Sequence, residues 1–173
     1  ALLLARTVLA VGTLTIIWLW IDGFEKIKSA TWLHGLKIGG IGFGIGAILL
    51  LVGQKISDPV MPAIAAAMMP IAGAAVEVVL VKRVLKLHLI MAIILALIGG
   101  IFASGVNFND AAFGVGALFC LIAIVLFAWV THATTNDLKL LSPIGQTTIT
   151  LIGSLIVVAA AYLASLAFEI KGA

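Results

Sequence analysis

Six stretches of mostly apolar residues follow one another along this chain, at roughly 2–21, 36–53, 59–81, 87–105, 111–130 and 143–168, here spans a to f. A helix needs about 20 such residues to cross a hydrocarbon core about 30 Å thick. None of the six alternates apolar and polar residues, as the strands of an outer-membrane barrel do. Helices are the other way to satisfy every backbone group in lipid. The expected fold is therefore all-α, a polytopic membrane bundle of about six transmembrane helices. Composition points the same way: 64% of residues are hydrophobic and 10% charged, against about 25% charged in a soluble domain.

A net charge of +3 and a pI near 9.3 do not indicate nucleic acid, because the basic residues stand in the gaps between apolar runs rather than on one face. The lone Cys120 lies inside span e, so neither a disulfide framework nor a cysteine metal site is expected. Span a is too long for a signal-peptide core and has no small-residue cleavage site behind it.

The connections carry the punctuation. Asp22-Gly23, Ser57-Asp58-Pro59, Lys82 to Lys86, and Asn107 to Asp110 break the apolar pattern, and Ser142-Pro143 reads as a helix start. Pro62 falls early in span c; Pro70 lies in its middle and predicts a kink or break. Placing connections a–b, c–d and e–f in the cytoplasm gathers Lys26, Lys28, Lys37, Lys82, Arg83, Lys86 and Lys139 there, and leaves only Arg6, Lys55 and Lys171 opposite. That is the side the positive-inside rule selects. Both ends of the chain then lie outside, as in a segment cut from a longer protein, and the start at Ala1, inside an apolar run and without Met, reads the same way.

Spans a and f resemble each other. Thr7, Gly12 and Leu14 of one match Thr148, Gly153 and Leu155 of the other, with near-equivalent neighbours. Five spans apart, they would cross in opposite directions, a mark of inverted-repeat transporters. Several further features occur in order: Arg6 at a helix head, Gly-rich span b, the short connection Gln54 to Ser57, Ala63 to Ala67, and Pro70. Lys82-Arg83 and Gly99-Gly100 follow, then Asn109 to Thr150 with Ala128-Trp129, Pro143 and Thr148. In this order and spacing the chain resembles the EamA-like branch of the drug/metabolite transporter superfamily. The resemblance implies spans two to seven of ten, with residues 1–105 as the remainder of a first repeat and 106–173 as the start of a second. Lys82 stands where that family usually has Glu, so no role of that Glu carries over.

Individual residues allow more than one reading. Gly35, Gly39, Gly40, Gly42, Gly44 and Gly46 of span b formally include a loose dinucleotide fingerprint, but no strand precedes it. Their four-residue spacings instead favour close helix packing. Glu77 is the main polar intrusion into an apolar span, and a charge in the bilayer costs on the order of 2.5–3.5 kcal/mol. It is either a coupling carboxylate facing a cavity or an interfacial residue paired with Lys82 or Arg83. Arg6 is a substrate contact or a snorkelling residue. Trp18, Trp20, Trp32 and Trp129 read as an interfacial belt, and His34 and His132 as solvated. Gln146 is a cavity residue, or one of the polar groups with Thr147, Thr148, Ser154 and Ser165 that bond back to a helix. Met61, Met68 and Met69 line a soft-walled site or simply pack.

The expected function is secondary transport by alternating access, and export of small metabolites is what the resemblance implies. The substrate site is expected near the bilayer midplane, using Glu77, Pro70, Met69, Arg6 and Gln146. The expected partners are a small-molecule substrate, coupled to protons through Glu77, and the lipid bilayer, without nucleic acid; the oligomeric state stays open. No cofactor or metal is expected, and no catalytic cluster points to an enzyme. The expected location is the bacterial inner membrane. The alternative is a non-transporting integral membrane scaffold or assembly subunit.

Overall fold

The computed structural model describes residues 2–57, 60–82, 86–104 and 114–172, and every regular element among them is helical. In chain order these are α1 (Leu2–Lys28), α2 (Trp32–Gly39), a π-helical segment (Gly40–Ile45), α3 (Gly46–Ile56), α4 (Val60–Ala67), α5 (Met69–Val81), α6 (Leu87–Ser104), α7 (Val115–Asp137) and α8 (Pro143–Gly172). Arg83, the connection from Asn107 to Asp110 and the expected repeat boundary at 105/106 lie outside the described residues. Among the described residues, four helices are long and apolar enough to cross a membrane: Leu2–Lys28, Trp32–Ile56, Val115–Asp137 and Pro143–Ala167. The chain is an integral membrane protein on that basis. Met69–Leu80 and Leu87–Ala96 are apolar but shorter.

Local sequence explains where the helices bend and stop. The helix of span a runs on past its apolar part and turns at Gly23, whose φ of 73° and ψ of 168° suit glycine alone. Span b is one continuous helix with a π turn through Gly40–Ile45. Glycines resist regular helix weakly, and the wider turn keeps Gly40 and Gly44 on the face begun by Gly35 and Gly39. Span c is interrupted at Met68, and Pro70 occupies the first turn of α5. Proline has no N–H to offer the carbonyl of Ala66. The Ile71 N–H donates to the Met68 carbonyl three residues back at 3.0 Å, sharing it with the regular i→i−4 bond from Ala72, also 3.0 Å.

The chain divides into two compact units, residues 1–45 with 133–173, and residues 46–132. In the first, α8 is central and packs against α1, α2 and the π segment. A Cβ on Gly39 would collide with the Thr150 backbone, and one on Gly153 with the Leu36 backbone. The two helices therefore meet backbone to backbone, the close approach that small residues permit in lipid. Further along, a Cβ on Gly44 would come within 2.8 Å of Val157. Thr148 and Thr150 are fully buried, and their hydroxyls donate to the carbonyls of Ile144 at 2.7 Å and Gln146 at 2.9 Å. Bonding back to their own helix removes the desolvation penalty of an unpaired hydroxyl.

The second unit has its own core of Ala65, Ala72, Cys120, Ile124 and Ala128, flanked by Leu50, Val76 and Phe127. Here too two glycines let helices close up: a Cβ on Gly53 would stand 2.8 Å from the Gly116 carbonyl oxygen. Large apolar side chains point outward from the helices, including Leu9 at 72% and Phe102 at 82% exposure. Lipid is the solvent in which such a surface is stable.

Candidate functional site

The strongest site lies in the second unit, where the interrupted helix meets α6. Pro70, Gly73, Ala74 and Glu77 of α5 face Leu89, Ala92 and Ile93 of α6 around an open cavity of about 420 Å³. The spacing explains the lining: residues 70, 73, 74 and 77 recur every three or four positions and so share one face of α5. Gly73 leaves room there, since a Cβ built on it would meet no atom within 4 Å. Glu77 is half-buried and also makes an interaction within the protein. It is the sole charged side chain among the described residues of the lining.

Of the residues expected to form the site, Pro70 and Glu77 are thus brought together. Met69 is 38% exposed and does not line this cavity. Arg6, which is exposed, and Gln146 belong to the first unit. The Gln146 amide donates to the carbonyls of Leu138 at 2.9 Å and Leu141 at 3.1 Å, so it closes the α7–α8 connection. That is the alternative of a polar group satisfied within the fold.

The first unit holds a polar node that the sequence did not announce. Trp18 is not a belt residue: it is fully buried and its ring lies against Gly145, where a Cβ would come within 2.7 Å. Trp20, by contrast, is 90% exposed. The Trp18 indole Nε1 donates to Asp22 Oδ2 at 3.0 Å and stacks obliquely on Trp32, with centroids 5.9 Å apart. Asp22, just past the apolar run of span a, also accepts from Ser142 Oγ. Lys26 Nζ lies 3.3 Å from its other oxygen. Ser142 in turn accepts from the Gly145 N–H at 3.1 Å, capping α8. The signal that could have shown this node is the i, i+4 spacing of Trp18, Asp22 and Lys26, read beside the Ser142-Pro143 helix start. A recess of about 210 Å³ adjoins it, lined by Lys26, Ser29 and Asp137 among others. His34 Nε2 and Asp137 Oδ2 are 3.3 Å apart and about half exposed, a pair that contributes little to stability.

The Ser142 hydroxyl, followed by Lys26 and Trp18, holds the Asp22 carboxyl below the usual carboxylate range, against the opposing effect of its desolvation. A group depressed on folding stabilises above its unfolded pKa and loses that contribution as pH falls through the folded value. Asp22→Ala is expected to lower the thermal midpoint at neutral pH by on the order of 5 °C. Asp22→Asn, which keeps an acceptor but no charge, should differ from wild type at pH 7, and the difference should begin to shrink only as pH falls below about 4. Parallel melting curves over that range check this; a constant offset down to pH 2 would rule out the ionised node.

Among the described residues, no three His, Cys, Asp or Glu side chains group closely enough to hold a metal ion. No known protein family, no curated protein and no solved structure matches the chain.

Proposed function

We propose that this protein is a secondary transporter that exports small metabolites by alternating access, with the α5–α6 cavity as part of its substrate path. The carrying observation is a carboxylate, Glu77, set in a cavity beside a helix interrupted at midspan. Broken helices at a cavity and intramembrane carboxylates both mark transport paths. Six spans are part of this reading. In it span c crosses as α4 (Val60–Ala67) and α5 (Met69–Val81) together, and span d as α6 (Leu87–Ser104). The likeness of spans a and f supports an inverted repeat, and the order of motifs from Arg6 to Thr148 supports an EamA-like carrier in a bacterial inner membrane. Glu77 takes the role of proton-coupling group.

The test is flux. The protein reconstituted in liposomes should move small organic solutes down an imposed pH gradient, and Glu77→Gln should abolish the dependence on that gradient. Wild-type coupling in the variant would remove Glu77 from the mechanism; the absence of any protein-dependent flux would favour the scaffold reading.

A further inference from the structure

Taking the transporter reading as its premise, we infer that the α5–α6 cavity selects monovalent organic cations with an apolar body, the ammonium held by Glu77 and the body lying along α5 towards Pro70. Among the described residues the lining holds one carboxylate, and every other side chain in it is apolar. Apolar walls lower the local dielectric and strengthen the attraction of a single charge for an opposite one. Glu77 interacts elsewhere in the protein as well, but a carboxylate offers about four lone-pair sites. A ligand ammonium can share it.

Two other ligand classes fit less well. An anion would need donors, and the one natural source is the N-terminus of α5 at the Pro70 end of the cavity. Three of the first four positions of α5 offer nothing there: Ile71 and Ala72 N–H both serve the Met68 carbonyl at 3.0 Å, and Pro70 has no N–H. A hard divalent cation takes six to eight oxygen ligands, or one or two carboxylates with waters and phosphate oxygens, and an apolar wall offers none of the remaining oxygens. The described lining supplies one carboxylate, and no group of three His, Cys, Asp or Glu side chains stands near it among the described residues.

Size and shape fit an organic body. Pro70 and Glu77 are seven positions apart on α5, about 10 Å along the helix axis. A volume of about 420 Å³ is within the range of small-molecule sites. Between the two ends, Gly73 opens the wall and Leu89, Ala92 and Ile93 face it. A ring or short alkyl chain attached to the ammonium would replace lipid or water against this wall.

The experiment is equilibrium binding to the whole chain in lipid nanodiscs, with empty discs as the blank. The probes are phenethylammonium, its neutral analogue 2-phenylethanol and the anion 3-phenylpropionate. Saturable binding of the cation is expected, with the other two much weaker. Glu77→Gln should weaken it about tenfold or more. Gly73→Leu should do the same by filling the cavity, and since a Cβ there meets nothing within 4 Å and Leu is the better helix former, it should fold. Equal binding of the anion, or cation binding unchanged in both variants, overturns the inference, as does the lack of saturable binding. Liposome flux separates this from its premise. Glu77-dependent binding without flux overturns transport and leaves the cation site standing. Flux that Glu77→Gln abolishes but phenethylammonium neither enters nor inhibits overturns the cation assignment alone.

Discussion

Replacing Gly39 by leucine is expected to unfold the first unit or lower its thermal midpoint by far more than any surface change. The reason is geometric. A Cβ at this position meets the backbone of Thr150, not the end of a flexible side chain, so relief requires α2 and α8 to move apart. Forced overpacking costs about 3 kcal/mol or more where the neighbour cannot give, out of a total stability of roughly 5–15 kcal/mol. Separation would also strip contacts from buried Ile149 and Val158. Gly12→Leu is the control, because a Cβ on Gly12 meets nothing within 4 Å. Melting followed by the fluorescence of buried Trp18 in lipid nanodiscs measures both. Equal midpoints for the two variants would refute the backbone-to-backbone contact.

That contact also shows what the sequence could and could not reveal. The four-residue glycine spacings of span b pointed to close packing, and Gly35, Gly39, Gly40 and Gly44 do face α8 side chains or backbone. Pro143 marked the start of α8, and Pro70 the neighbourhood of the break at Met68. Each of these signals is local: a missing N–H or a missing Cβ acts within a turn of where it is written.

The node around Asp22 was legible only in its local half, the i, i+4 spacing of Trp18, Asp22 and Lys26. Ser142 is 120 positions away from its partner, and nothing in a single sequence pairs such distant residues. Trp18 presented a second difficulty. In a soluble helix, burial is betrayed by an apolar stripe against a polar one. In lipid both faces are apolar, so a buried Trp18 and an exposed Trp20 look alike two residues apart. Small and polar residues become the marks of the inner face, and Thr148, Thr150 and Gly153 carry them on α8. Gln146 carries the same mark, yet its amide is used by two carbonyls of the preceding connection. A polar residue at a helix start is as readily a clamp as a ligand.

Glu77→Gln is expected to slow gradient-driven flux about a hundredfold, the loss that follows when a charged partner in a low-dielectric site is replaced by a neutral one. Met69→Ala, two turns earlier on α5 and outside the cavity lining, should leave flux within about twofold. The contrast tests the site as a place and not merely as a helix. Pro70→Ala then tests the break itself. An alanine restores the N–H that can bond to the Ala66 carbonyl, so α4 and α5 gain about 1 kcal/mol towards one continuous helix. If the interruption at Met68 lets the cavity open alternately to either side, this stabilised variant should carry flux more slowly than wild type while melting higher. Faster or equal flux at a higher midpoint would show that the break is only a proline accommodated in a static helix. The coupling carboxylate would then act beside it, not through it.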